Sequence, residues 1–191
     1  MKANQGTFAR SAARAAGECR YFFFCGPDEA GASAAAARIV DLLPEAGERV
    51  ELSGSELKRD PAMLGDEARS TSLFGGTRHL YVRAAGEEAL EPLRTLIEQV
   101  DADGAQPCPV LVVATGATDK SRTAKLLEKR KDALVAMFYP PDLGSVAESV
   151  RTMASAQGLQ LASDTAQRIA RASGLDVRLA SSEVDKLALY L

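Results

Sequence analysis

Gly26-x4-Gly31-Ala32-Ser33 places two glycines and a serine at the spacing of a phosphate-binding loop, after the apolar run Tyr21 to Cys25 and before a helical pattern, Ala32 to Leu43. In such a loop, backbone amides cradle the phosphates, a lysine supplies charge to the β- and γ-phosphates, and the hydroxyl that follows binds magnesium. Ala32 stands where the lysine is required, and Asp28 and Glu29 put negative charge where phosphate oxygens would lie. Ser33 alone would hold only a magnesium ligand position, although loop amides and a helix dipole still attract an anion weakly. Losing a buried charge partner costs about 2–5 kcal/mol, roughly thirty- to several-thousand-fold in affinity. Gly26, Gly31, Ala32 and Ser33 therefore read as a degenerate phosphate loop expected to take no nucleotide, and no cofactor is expected. A working ATPase would also need a carboxylate at a neighbouring strand end for magnesium. The strand at residues 79–83 ends in Arg83, and the one at 110–115 ends without an acidic residue.

A second stretch offers recognition rather than catalysis. Leu73 and Phe74 lie between Ser70-Thr71-Ser72 and Gly75-Gly76, ahead of an apolar strand. The glycines cut off a helix, so the pair belongs at a helix end or on a loop. A bulky apolar pair there is covered either by this chain's own core or by a partner's pocket. A third feature is basic: Asp119 to Lys131 carries Lys120, Arg122, Lys125, Lys129, Arg130 and Lys131. Arg122, Lys125 and Lys129 fall on one face of a helix, which serves as a solvated face or as an interface to a neighbouring subunit or nucleic-acid backbone.

Composition narrows the remaining classes. The chain has 191 residues, 46% apolar and 26% charged, enough for one good core or a larger domain with a small one attached. A net charge of −3 argues against a surface devoted to polyanions but leaves room for a local basic patch. His79 is the single histidine, so a histidine triad or a zinc cluster lacks its parts. Cys19, Cys25 and Cys108 have no metal-binding spacing and suggest no disulfide framework. The absence of tryptophan weakens a base-stacking reading. No apolar run reaches the length of a membrane span, and the first residues lack the apolar core of a signal peptide, so a cytoplasmic chain is expected.

The elements that must position these residues follow from periodicity. A short helix is expected over Thr7–Ala16, a strand buried on both faces at residues 21–25, and the helix to Leu43 stopped by Pro44. A strand follows at 49–52, then a helix from an Asp60-Pro61 start to Arg69, with strands at 79–83, 110–115 and 134–138. Glu91-Pro92 opens a further helix ending near Val100. Tyr139-Pro140-Pro141 is the best domain boundary. Beyond it, helices are expected at 143–157, at 164–173 with Ser163 as cap, and at 176–191. The last should bury Leu175, Val177, Leu179, Val184, Leu187 and Leu191. The expectation is an α/β domain over 1–139, with a parallel five-stranded sheet and the degenerate loop, and a small three-helix lid over 142–191.

Three strings in this order resemble a known family. They are Ser-Leu-Phe-Gly-Gly-x-Arg before a strand, Pro-Val-Leu-Val-Val-Ala running into Thr-Asp-Lys and basic residues, and Glu-Val-Asp-Lys-Leu-Ala-Leu-Tyr near the end. Together they resemble the delta subunit of the bacterial DNA polymerase III clamp loader, from about Tyr21 to Leu191. The resemblance implies a P-loop ATPase-associated (AAA+) fold and a non-catalytic role within a DNA polymerase holoenzyme. Leu73 and Phe74, flanked by Thr71 and Ser72, would be the wedge that docks on the ring-shaped sliding clamp (beta) and opens it. The other implied partners are the gamma/tau and delta-prime subunits, with primer-template DNA reached only through the complex and no membrane. Gly174-Leu175-Asp176-Val177-Arg178 resembles the lid motif whose arginine senses nucleotide. Without a competent phosphate loop, Arg178 is expected as an ion-pair or interface residue. Delta subunits usually continue into an all-helical collar domain, so a fragment is expected rather than a naturally short relative. The alternatives are a divergent P-loop ATPase and an AAA+-fold adaptor of another complex.

Overall fold

The computed structural model describes residues 1–70 and 76–190. Thr71, Ser72, Leu73, Phe74, Gly75 and Leu191 lie outside the described residues. The chain divides into two compact units, Met1–Tyr139 and Pro140–Leu191.

In the first unit the elements run β1 (Lys2–Asn4), α1 (Gln5–Glu18), β2 (Tyr21–Cys25), α2 (Glu29–Leu42), β3 (Glu48–Ser53), α3 (Gly54–Arg59), α4 (Met63–Arg69), β4 (Arg78–Ala84), α5 (Leu90–Asp103), β5 (Val110–Ala114), α6 (Arg122–Glu128) and β6 (Ala133–Met137). The strands form one parallel sheet in the order β1-β6-β2-β5-β4-β3. Its centre is built from continuous apolar runs, as burial on both faces requires. Tyr21, Phe23 and Cys25 face one side with Leu57, Leu64, Leu93, Leu96 and Leu127 of α3 to α6. Phe22 and Phe24 face the other side with the inward residues of α1 and α2, among them Phe8, Ala12, Ala32, Ala36 and Ile39. On that side Phe8, Phe24 and Phe138 form an aromatic cluster with ring centroids 5.7–6.4 Å apart.

Several expectations change. The sheet has a sixth strand: Lys2–Asn4 joins β6, with Lys2 opposite Val135 and Asn4 opposite Met137. Asn4 then caps α1 through a reciprocal box with Thr7. An unexpected helix, α3, begins with the box Ser53-x-x-Glu56. Asp60 closes α3 and does not start the next helix. Its carboxylate accepts from the Ala62 amide 3.1 Å away, and α4 begins only at Met63, with no side-chain cap. The Asp60-Pro61 signal is thus spent on the turn between two short helices.

The second unit consists of α7 (Leu143–Ala156), α8 (Ser163–Ala172) and α9 (Val177–Tyr190). Asp142 caps α7 by a reciprocal box with Ser145. Ser163 is the first residue of α8 and not its cap; Ala162 holds the cap position without a side-chain bond. The core is small: Val146, Val150 and Ala154 meet Ala166, Ala170, Ala180 and Val184. That corrects the expected stripe of α9, because Val177 is 40% and Leu179 57% exposed. Close approach through alanines rotates the helix so that Ala180 and Val184, not the leucines, face inward. Leu175 and Leu187 are half-buried. The turn before α9 puts Gly174 and Leu175 both at positive φ, 61° and 65°, a strained choice for leucine. Among the described residues no helix is long and apolar enough to cross a membrane.

Candidate functional site

Adjacent strands β2 and β5 send their chains to opposite faces, β2 into α2 and β5 into α6. In an open α/β sheet the crevice outside the strand ends at such a switch point is where ligands bind. The degenerate loop lies here. The helix begins at Glu29, so only Pro27 and Asp28 separate it from Gly26.

Several potential phosphate donors around that short turn are already engaged. Gly26 N donates to Ala117 O at 3.0 Å, Pro27 has no N–H, and Asp28 N points to Phe138 O at 3.4 Å. The Gly31 amide is taken by the Asp28 carboxylate at 2.9 Å, which caps α2. Ala32 is wholly buried on the inner face of α2, and Ser33 is half-buried one residue on. Gly26 has φ of 108°, and a Cβ there would lie 2.0 Å from Phe138 O. The stitching continues across the sheet. Phe138 N donates to Cys25 O at 2.8 Å, and Gly116 N to Ala85 O at 2.7 Å. A Cβ at Gly116 would sit 2.3 Å from that oxygen. The ends of β6, β2, β5 and β4 are thereby joined by main chain on main chain.

The strand ends carry charges with other tasks. Arg49 lies 4.0 Å and Arg83 5.6 Å from the Tyr81 ring centroid, with Glu51 2.7 Å from Arg49. Sequence reasoning passed over Glu87, which follows β4 closely enough to be considered as the carboxylate an ATPase would need. It accepts instead from the Arg122 and Thr123 amides at the start of α6, and from Arg122 Nε at 2.7 Å. The Arg122 guanidinium holds its carboxyl below the usual glutamate range. A carboxylate at a helix start is the expected use of the dipole.

The basic stretch is accordingly not one surface. α6 spans only Arg122–Glu128, and Arg122 is committed to Glu87. Arg130 bonds bidentately to Asp101, at 2.7 and 3.0 Å, and to Asp132, at 2.8 and 2.9 Å. Lys125 and Lys129 are exposed and make no ion pair among the described residues. Arg178 is 92% exposed, 3.6 Å from Asp176.

At the opposite end of the sheet, the described residues frame the 71–75 segment without including it. Arg69 pairs with Asp103 at 2.6 Å, Ala68 O accepts from Cys108 N at 3.0 Å, and Ser70 Oγ donates to Asp66 O at 2.6 Å. On the other stem Thr77 O accepts from Glu48 N at 3.0 Å, and Arg78 pairs with Glu67. A cavity of about 510 Å³ opens beside these stems, lined by Arg20, Leu43, Ala68, Thr77, Pro107 and Cys108 among others. His79 is buried, its Nδ1 2.8 Å from Ala46 O. The cysteines are free, and burial pushes Cys19 and Cys108 up to about 11 and Cys25 to about 12, out of nucleophile range.

No family model and no curated protein sequence matches this chain. Solved structures do. The Bacillus subtilis DNA clamp loader delta protein superposes with a TM-score of 0.61 at 12% identity, over 97% of this chain and 57% of that one. The Thermotoga maritima RuvB Holliday junction branch migration motor gives 0.52 at 19% identity, over 95% and 59%. The fold is AAA+-like. The chain spans less than two thirds of either structure. This chain has the architecture of these neighbours over almost all of its length.

Proposed function

We propose that this chain is a non-catalytic clamp-binding and clamp-opening subunit, the delta subunit of the replicative DNA polymerase III clamp loader. The observation that carries the reading is an AAA+-like architecture whose switch-point crevice is stitched by backbone bonds at Gly26, Ala117, Phe138 and Gly116. A fold kept without its chemistry is a scaffold for contacts. Leu73 and Phe74, flanked by Thr71 and Ser72, are the docking pair, consistent with the Ser-Leu-Phe-Gly-Gly-x-Arg string. Fully burying two such side chains is worth about 3–6 kcal/mol gross, the scale of an interface hot spot. The mechanism is mechanical: docking favours the open ring only to the extent that the open shape is bound more tightly than the closed one. Nucleotide is handled by sister subunits, and the partners are the gamma/tau and delta-prime subunits.

The test is a titration of the chain with the bacterial sliding clamp, alongside calorimetry with magnesium-ATP. Saturable clamp binding with no heat from micromolar nucleotide is the expected result. Nucleotide binding or hydrolysis would instead make the chain a divergent ATPase. Silence in both experiments would make it an adaptor of another complex.

A further inference from the structure

Arg78 opens β4 with its side chain only 11% exposed, and its Nη2 donates to Glu67 on the last turns of α4. Its Nε is buried without a partner among the described residues. A guanidinium so enclosed depends on its one carboxylate, because removing that partner leaves an uncompensated buried charge. The pair also has a particular place in the chain. Glu67 lies before residues 71–75 and Arg78 after them, so among the described residues this ion pair joins the two stems at their ends, beyond the apolar packing of Leu64 and Ala68 in one core with Leu80. Other polar contacts of the stems run outward to different elements: Ala68 to Cys108, Arg69 to Asp103, and Thr77 to Glu48.

We propose that the Glu67–Arg78 pair is a clasp that fixes the two points from which residues 71–75 depart, making both residues positioning residues for clamp docking. The proposal rests on the docking reading above. Fixed stems raise the fraction of chains competent to bind, and apparent affinity scales with that fraction.

The test uses the full chain in two assays. Glu67→Gln keeps size and removes charge. Glu67→Met with Arg78→Met removes both charges, a replacement that commonly preserves stability. The expected result for both is about tenfold weaker clamp affinity, from a competent fraction reduced to about a tenth. Amide exchange at Ser70, Gly76 and Thr77 of the free chain should also be faster. A pair that is merely structural would lower the urea midpoint of Glu67→Gln yet leave the affinity of the folded chain unchanged, and that outcome overturns the proposal. If the unaltered chain binds no clamp, the docking reading fails by itself. The clasp is then judged by exchange in the free chain: faster exchange in the variants supports it, and unchanged exchange overturns it.

Discussion

Both ends of the sheet are held by backbone bonds between segments, but the carboxyl ends add mainly the Glu87–Arg122 pair and the amino ends a larger set of ion pairs. At the carboxyl ends of the strands, main-chain groups of Gly26, Ala117, Phe138, Ala85 and Gly116 bond to one another, and two glycines allow approaches that a Cβ would prevent. At the amino ends, backbone bonds such as Cys108 N to Ala68 O and Glu48 N to Thr77 O are joined by ion pairs: Arg69 with Asp103, Arg78 with Glu67, and Arg130 with Asp101 and Asp132. Backbone closure takes no account of salt or pH, and it engages the Gly26, Asp28 and Gly116 amides. Ion pairs at partly exposed sites respond to both.

The comparison can be broken most forcefully at Ala32. Restoring the lysine of a phosphate loop, Ala32→Lys, puts an ammonium into a wholly buried position on the inner face of α2. The expected outcome is a loss of about 3–5 kcal/mol in urea unfolding and no gain of ATP hydrolysis. Gly26→Ala should follow at about 2–4 kcal/mol, from the strained φ and the collision with Phe138 O. Asp28→Ala removes the α2 cap and should lower stability by about 1 kcal/mol, read from the same unfolding curves.

The smallest effect distinguishes the ends by pH. The Arg130 guanidinium holds the Asp101 carboxyl below its usual 3.8. A depressed carboxyl contributes stability above its unfolded value and loses that contribution as pH falls through the depressed one. Asp101→Asn should therefore be less stable than the unaltered chain at pH 7 and converge with it well below pH 3.8. Gly26→Ala should show the same deficit at both pH values.

Much of this architecture was legible in the sequence because the central strands are unbroken apolar runs, Tyr21 to Cys25 and Val110 to Ala114, that only a covered parallel sheet accommodates. The edges were less legible. Lys2–Asn4 is too short and polar to announce a strand, and it is ordered by pairing with a distant segment. α3 had a signal, Ser53-x-x-Glu56, that went unread because strand and turn signals crowd it. The α9 stripe was misplaced because leucines outrank alanines on any hydrophobicity scale, whereas tight helix packing in the small second unit selects Ala180. The same limit governs the site. The missing lysine could be read from sequence, but the capture of Gly31 N by Asp28 and of the α6 amides by Glu87 depends on contacts between segments.

The central claim is that residues 71–75 present a docking pair and not a piece of core. Its most direct test is Leu73→Ala with Phe74→Ala, followed by clamp titration and urea unfolding of the same preparation. The account predicts that clamp binding is abolished while the unfolding midpoint stays within error of the unaltered chain. Large-to-small changes in a core would instead lower stability by about 2–5 kcal/mol per site. A large fall in midpoint with unchanged clamp affinity would contradict the account.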